Sequence, residues 1–343
     1  MELNKRRIGF LLLVTVVFML ALYFLVSDSE HWYTDVELEY IASIPNSNDN
    51  VFLANPVGFS FSANQVFVSD QKSSIIYVFD YNGNYISQFG GAGSGPGEFL
   101  MPGSINYYDE KLFINDIANG RLVIFDIEKD HFEYFFPNQI PREIVVTDQN
   151  IFMNHLLSSS QLNTNELDLL YSYDWEMNLI TSFGEHLNFM ENMPTRASTV
   201  HLEKYGSYLY VLFNYYPFLR VYDFDGQLVK EYDLTERYKR LIPENYQTSA
   251  FADPSVLNLN NLFNGLDVSD EGLFLYVVEK KGHVIDYFDH EGNFQQRLRP
   301  NITSESYFIR DTELLEKENG DHHFYLLGIS NNQSRIDYFK WTN

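Results

Sequence analysis

One ending returns through this chain at nearly even spacing: an aromatic residue followed by an acid, closing a run of alternating β character. It occurs at Phe79-Asp80, Phe125-Asp126, Tyr173-Asp174, Tyr222-Asp223 and Phe288-Asp289, and with the acid replaced at Phe339-Lys340. Counted from Asp80, the intervals are 46, 48, 49, 66 and 51 residues. A period of that length accommodates one four-stranded blade, which can bury its faces only against other blades. Six copies predict an all-β, six-bladed β-propeller over residues 36–343. Abundant Phe (29) and Tyr (25) suit pleated, half-buried strands. The clearest copy runs Gln65–Asp70, a polar turn, Ile75–Asp80, the turn Tyr81–Asn84, and Tyr85–Gly90. Gly83, Gly226 and Gly292 follow their acids by three residues, where a hairpin needs positive φ.

The last copy stops after its third strand, one strand short of a blade. Val36–Ile44 is a spare β segment ahead of the first blade. It is expected to complete the final blade, so that the ring closes through the N-terminal strand and leaves no open edge.

Phe89-Gly-Gly-Ala-Gly-Ser-Gly-Pro-Gly-Glu-Phe99 with Pro102 resembles the linker between NHL repeats, and Phe113 to Asp126 resembles the body of one. The region 36–343 is also similar to the TolB-like six-bladed propellers found as surface or periplasmic proteins in bacteria of the Bacteroidetes type. The wording is sharp only in the first two blades. Gly90–Gly97 lacks the Lys-Ser/Thr ending of a nucleotide-binding loop, so it reads as an inter-blade turn. Asp116, Asn119 and Arg121 suit a local turn network as readily as a ligand contact.

Ile8–Val26 is a 19-residue stretch without charge, long enough to cross a bilayer. Lys5, Arg6 and Arg7 precede it within a basic flank at 1–7, and a linker at 27–35 follows. The positive-inside rule orients such a segment with its amino end in the cytoplasm and the propeller in the periplasm or outside the cell. No A-x-A-like cleavage site is evident, so a retained transmembrane signal anchor is expected, with the membrane as a partner. Formal charge is −24, a surface that repels phosphate backbones and argues against nucleic acid as a partner. Cysteine is absent, which removes disulfides, thiolate chemistry and a lipidated cysteine.

In propellers of the kind resembled, the ends of the second strands share a rim with the inter-blade connections, and that rim is the usual binding face. Transferred here, the rim carries Asp70, Asp116, His155, Asn214, Glu279 and Ser330. Arg142, Arg196 and Arg310 recur near the starts of the inner strands, where they suit carboxylate or phosphate at the channel mouth, or pairing with acids such as Glu143 and Asp311. Longer insertions at 185–200, with Met190, Met193 and Pro194, and at 234–265, with a short capped helix expected over Thr235–Ile242, are candidate binding elements.

No catalytic motif is visible: H-E-x-x-H and G-x-S-x-G are both missing. His322 and His323 fall in one predicted strand and face opposite ways, so the pair does not chelate one metal. Asn301-Ile-Thr303 and Asn332-Gln-Ser334 match glycosylation acceptors, which matter only on a eukaryotic secretory route. Two functions follow. One is a binding or sensing module for a small molecule or protein, displayed on a membrane. The other, implied by related six-bladed folds, is a hydrolase or lyase assisted by calcium, with Asp70, Asp116 and Glu279 as candidate oxygen donors.

Overall fold

The computed structural model describes residues 35–343 except 48–50, 138–139, 156–167, 188–198, 242–260, 280–281, 303–306, 318–319, 331–332 and 343. The anchor segment, Met190, Met193, Pro194 and Arg196 therefore lie outside the described residues, and among those described no helix is long and apolar enough to cross a membrane.

Among the described residues, twenty-four strands make six antiparallel blades, each running outward from an inner strand. Strand β1 is Val36–Ile44. Blade one is β2 (Pro56–Phe61), β3 (Val66–Asp70), β4 (Ile75–Phe79) and β5 (Tyr85–Gly90). Blade two is β6 (Pro102–Tyr108), β7 (Lys111–Asp116), β8 (Arg121–Asp126) and β9 (His131–Phe135). Blade three is β10 (Pro141–Val146), β11 (Ile151–His155), β12 (Leu170–Tyr173) and β13 (Leu179–Phe183). Blade four is β14 (Val200–Tyr205), β15 (Tyr208–Phe213), β16 (Phe218–Asp223) and β17 (Leu228–Asp233). Blade five is β18 (Phe263–Val268), β19 (Leu273–Glu279), β20 (Gly282–Phe288) and β21 (Phe294–Pro300). Blade six is β22 (Phe308–Glu316), β23 (His322–Ser330), β24 (Gln333–Trp341) and β1.

Burial explains the order of strands within a blade. Every residue of β3 is buried, whereas β5 is almost wholly exposed. Inner strands touch in the sequence β2, β6, β10, β14, β18, β22 and back to β2, which closes the ring. The core is correspondingly divided into apolar clusters, one at each inter-blade interface. Phe67, Ile76 and Val78 of blade one meet Ile105, Ile114 and Val123 of blade two, for example, and Ile44, Tyr325 and Ile336 of blade six meet Phe59, Val68 and Phe79 of blade one.

The repeated acid is a turn device. Asp80 Oδ1 accepts from the backbone N–H groups of Asn82 (2.8 Å) and Asn84 (2.9 Å). Asp223 does the same for Asp225 and Gln227, and Asp289 for Glu291 and Asn293. Each therefore ties off the hairpin into the outermost strand. These hydrogen bonds, led by the Asn side chain, hold Asp80 and Asp289 below the usual carboxylate range. Gly83, Gly226 and Gly292 sit in these turns at φ 80°, 87° and 89°, as their spacing predicts.

β1 closes the ring as expected. Glu39 to Ile44 pair antiparallel with Lys340 to Ile336 of β24, with one irregularity between Tyr40 and Ala42. Its first residues do something the repeat did not foretell: Val36 to Leu38 pair in parallel with Leu298 to Pro300 of β21, so the strand joins blades five and six into one eight-stranded sheet. Leu38 is buried in the interface of blades five and six, and Ile44 in that of blades six and one.

The helix expected over Thr235–Ile242 needs correction. Helix α1 is one turn, Thr235–Tyr238, and Leu234 at its N-cap makes no side-chain cap. Tertiary contacts hold it instead: Tyr238 is buried between blades four and five and donates its hydroxyl to Asp286 Oδ2 at 2.9 Å.

Deleting residues 36–44 removes a strand shared by two apolar interfaces. Loss of the cooperative thermal transition is the expected result, and Leu38→Ala alone should cost about 2–5 kcal/mol in chemical denaturation. A deletion variant that melts like the parent would show that closure does not depend on β1.

Candidate functional site

The residues expected at the rim fall at or beside second-strand ends. β3, β7, β11, β19 and β23 end at Asp70, Asp116, His155, Glu279 and Ser330, and Asn214 follows β15 directly. Register places Pro56 opposite Asp70, Pro102 opposite Asp116 and Pro141 opposite His155, so second-strand ends and inner-strand starts share one face.

The structure gives several of these polar groups internal work. Asp70 accepts backbone N–H bonds from Asn55 (3.0 Å), Lys72 (3.1 Å) and Ser73 (3.0 Å). Asp116 accepts from Leu100 N (2.7 Å), Asn119 Nδ2 (2.7 Å) and Arg121 Nε (2.9 Å), while Arg121 also donates to the carbonyls of Ser94 and Glu98. The local network thus fastens the Gly-rich linker between blades one and two. His155 is buried edge-on against Tyr171, and the Asn214 carbonyl accepts from Leu262 and Phe263 N–H. Glu279 pairs with Arg297, which also grips Asp286.

Arg142 and Arg310 occupy equivalent bulges. Pairing skips a residue between Pro141 and Glu143 and between Ile309 and Asp311, as it does near the start of the inner strand in blades one, two and five. Such bulges redirect a side chain out of the ladder. Arg142 reaches blade four, donating to Thr199 Oγ1 at 2.6 Å, and lies 3.9 Å from Glu143. Arg310 Nε is buried without a hydrogen-bond partner, and desolvation lowers the guanidinium pKa against the opposing pull of Asp70.

Below the bulges, alternate side chains of the inner strands line a central cavity of about 320 Å³. Glu143, Glu203, Asp311 and Glu313 are in its wall with His201 and Lys204. A fifth carboxyl, Asp267, is buried, accepting from the Tyr276 hydroxyl and from Leu314 N at 3.1 Å. The four lining acids keep part of their surface open to the channel, yet the surrounding ring strips most of their hydration. Desolvation pushes Glu143 up to about 7, opposed by Arg142, and Asp267 up to about 6. Glu203, Asp311 and Glu313 are raised well above the carboxylate range by desolvation first and by neighbouring carboxylates second. His201 is driven to about 3 by desolvation and by Arg142, so its ring is neutral at physiological pH. Closely spaced carboxyls with perturbed protonation, facing a cavity, are the pattern of a functional site.

Glu203, Asp267 and Glu313 were not singled out from the sequence. A signal exists: His201-x-Glu203 and Asp311-x-Glu313 place polar groups two apart on first strands, where one face must look into the channel.

Residues 36–295 match the profile of the DUF5128 family, described as 6-bladed beta-propeller. No curated protein matches the chain. Among solved structures, a Bacteroides fragilis protein described as exported is similar at 15% identity and TM-score 0.59, over 91% of this chain and 97% of that one. The calcium-binding protein regucalcin of Agrobacterium tumefaciens is similar at 9% identity and TM-score 0.54, over 90% and 97%. Virginiamycin B lyase of Staphylococcus aureus, in a catalytically inactive form with quinupristin, is similar at 12% identity and TM-score 0.52, over 86% and 87%. At these identities the likeness is one of fold. With the profile spanning most of the chain and six closed blades behind it, the protein belongs to the 6-bladed beta-propeller family.

Proposed function

We propose that this protein is a membrane-tethered, extracytoplasmic binding module that takes a cationic ligand into its central channel. The observation that carries the reading is the wall of the cavity: four carboxyls and the buried Asp267, held partly protonated, against Lys204 and the nearby Arg142. Each raised carboxyl represents unfavourable charge that a bound cation would relieve. A cavity near 320 Å³ suits a metal ion with its water or a small organic ammonium. The rim residues Asp70, Asp116, His155, Asn214 and Glu279, with Arg142, Arg196 and Arg310, form the proposed entrance. The uncharged Ile8–Val26 supports tethering, and the exported B. fragilis protein supports an extracytoplasmic site.

A second reading, a hydrolase or lyase using calcium as cofactor, draws on the same carboxyls. It is favoured by the carboxylate-rich wall, which suits a hard cation, and by the calcium-binding regucalcin on the same fold.

Calorimetric titration of the full-length protein with Ca²⁺ and, separately, with spermidine tests both. One-to-one binding of either is expected, weakened about tenfold or more by Glu203→Gln or Glu313→Gln. Calcium binding with a large gain in melting temperature favours the cofactor reading, spermidine binding the module, and no binding of either defeats both.

The pH dependence has a definite sign. An acid whose folded pKa is raised contributes stability that is fully present below its ordinary value and is lost as pH climbs through the raised one, so Glu143 and Asp267 destabilise the ring progressively between about pH 4 and 7. His201 acts oppositely: buried neutral, it loses stability as pH falls below the usual histidine value of 6.5. The raised acids outnumber the single histidine, so the metal-free protein should be more stable near pH 5 than at pH 8, by about 5 °C of melting temperature. Scanning calorimetry in chelator checks this; a flat profile from pH 5 to 8 contradicts it.

A further inference from the structure

On the face opposite the rim, blades five and six bring together one imidazole and two carboxylates that take no part in the channel. Glu271 is in the turn from β18 to β19, Glu316 ends β22 and His322 opens β23. Register sets His322 directly across from Glu316 on one side and from Trp341 on the other. The His322 side chain is 2% exposed, with Nε2 lying 2.5 Å from Glu271 Oε2 and 3.4 Å from Glu316 Oε1. One donor atom from each residue falls within 4.8 Å of the other two. Neither ring nitrogen makes a hydrogen bond of acceptable geometry, so a nine-tenths buried imidazole is aimed at two acids without one. His323, the next residue, faces away and stacks on Tyr338.

We propose that Glu271, Glu316 and His322 form a binding site for a first-row divalent cation of the zinc type. One imidazole with two carboxylates is an established donor set for such ions, and three protein donors leave a position for water. A tetrahedral ion with bonds near 2.0–2.2 Å needs its donors about 3.4 Å apart, so the present spacing requires only side-chain adjustment. Glu271 is positioned by its own backbone: its N–H donates to Ser269 Oγ at 3.2 Å and its carbonyl accepts from the Tyr287 hydroxyl at 3.1 Å. The imidazole plane is fixed by packing, with ring centroids of Trp341 at 5.3 Å and Phe274 at 6.0 Å. Hydrogen bonding to Nδ1 usually orients a metal-bound histidine; aromatic packing replaces it here, which favours a readily exchanged ion. Because Glu271 comes from blade five and the other two from blade six, the ion would clasp the same pair of blades that β1 joins.

The full-length protein, stripped with chelator and dialysed, is titrated with Zn²⁺ and Co²⁺ alone. The expected results are a rise in melting temperature of about 5–10 °C at saturating Zn²⁺ and visible Co²⁺ absorption of a four- or five-coordinate centre. His322→Gln should abolish the Co²⁺ bands. Glu316→Gln, at an exposed position that leaves packing intact, should weaken Zn²⁺ at least tenfold without changing the metal-free melting temperature. His323→Gln, at the neighbouring ring that faces away, should leave the Co²⁺ bands unchanged. Absence of a metal-dependent shift in the parent protein, or Co²⁺ bands that persist in both site variants, would mean that the three residues form an ion pair only.

Discussion

Each blade of this protein is a small sheet with two apolar faces, and neither face can be buried within the blade itself. Packing of one blade against the next is thus the interaction on which everything else rests. Burying a large aliphatic or aromatic side chain stabilises by about 1.5–3 kcal/mol, and side chains of that kind fill every one of the interfaces. A linear row of such blades would leave two faces in water. Only a ring gives each face a neighbour, and β1, with Leu38 and Ile44 pointed into the interfaces on either side of blade six, completes the blade at which the two ends of the row meet.

The ring dictates the channel. Inner strands converge on the axis, and their alternation sends every second side chain toward it. In five of the blades a bulge near the start of that strand shifts the alternation, and inter-blade hydrogen bonds brace it. Asn115 Nδ2 donates to Pro141 O, Ser69 Oγ to Gly103 O and Asn264 Nδ2 to Ile309 O. The carboxyls beneath are held on rigid strands and cannot swing apart to relieve their repulsion. Relief comes by proton uptake, which the raised values of Glu143 and Asp267 reflect, or by a cation.

How much of this was legible in the sequence follows from what each residue does. Asp80, Asp223 and Asp289 repeat because the same hairpin is tied off by the same side-chain bonds, so periodicity exposed the blades directly. Val36–Ile44 was recoverable because a blade short of a strand needs one. The acids at strand ends were visible for a different reason: Asp70 and Asp116 stand out in sequence because they serve turns, and a turn role and a rim role look alike in one dimension. The channel acids were hidden by the opposite effect. Glu203 and Glu313 lie inside β runs whose outward-facing residues are also polar, and convergence of four strands on one axis is not written in any one of them. The parallel pairing of β1 with β21 and the meeting of Glu271 with His322 are likewise products of blade packing alone.

The seam also sets an order of events. β1 is synthesised before the strands of blades one to five, yet its antiparallel partner β24 begins only at Gln333, after all of them. Throughout translation the nascent chain carries an unsatisfied strand edge with Leu38 and Ile44 uncovered, while blades one to five can already hairpin locally. Ring closure therefore waits on the docking of a segment made early onto one made late.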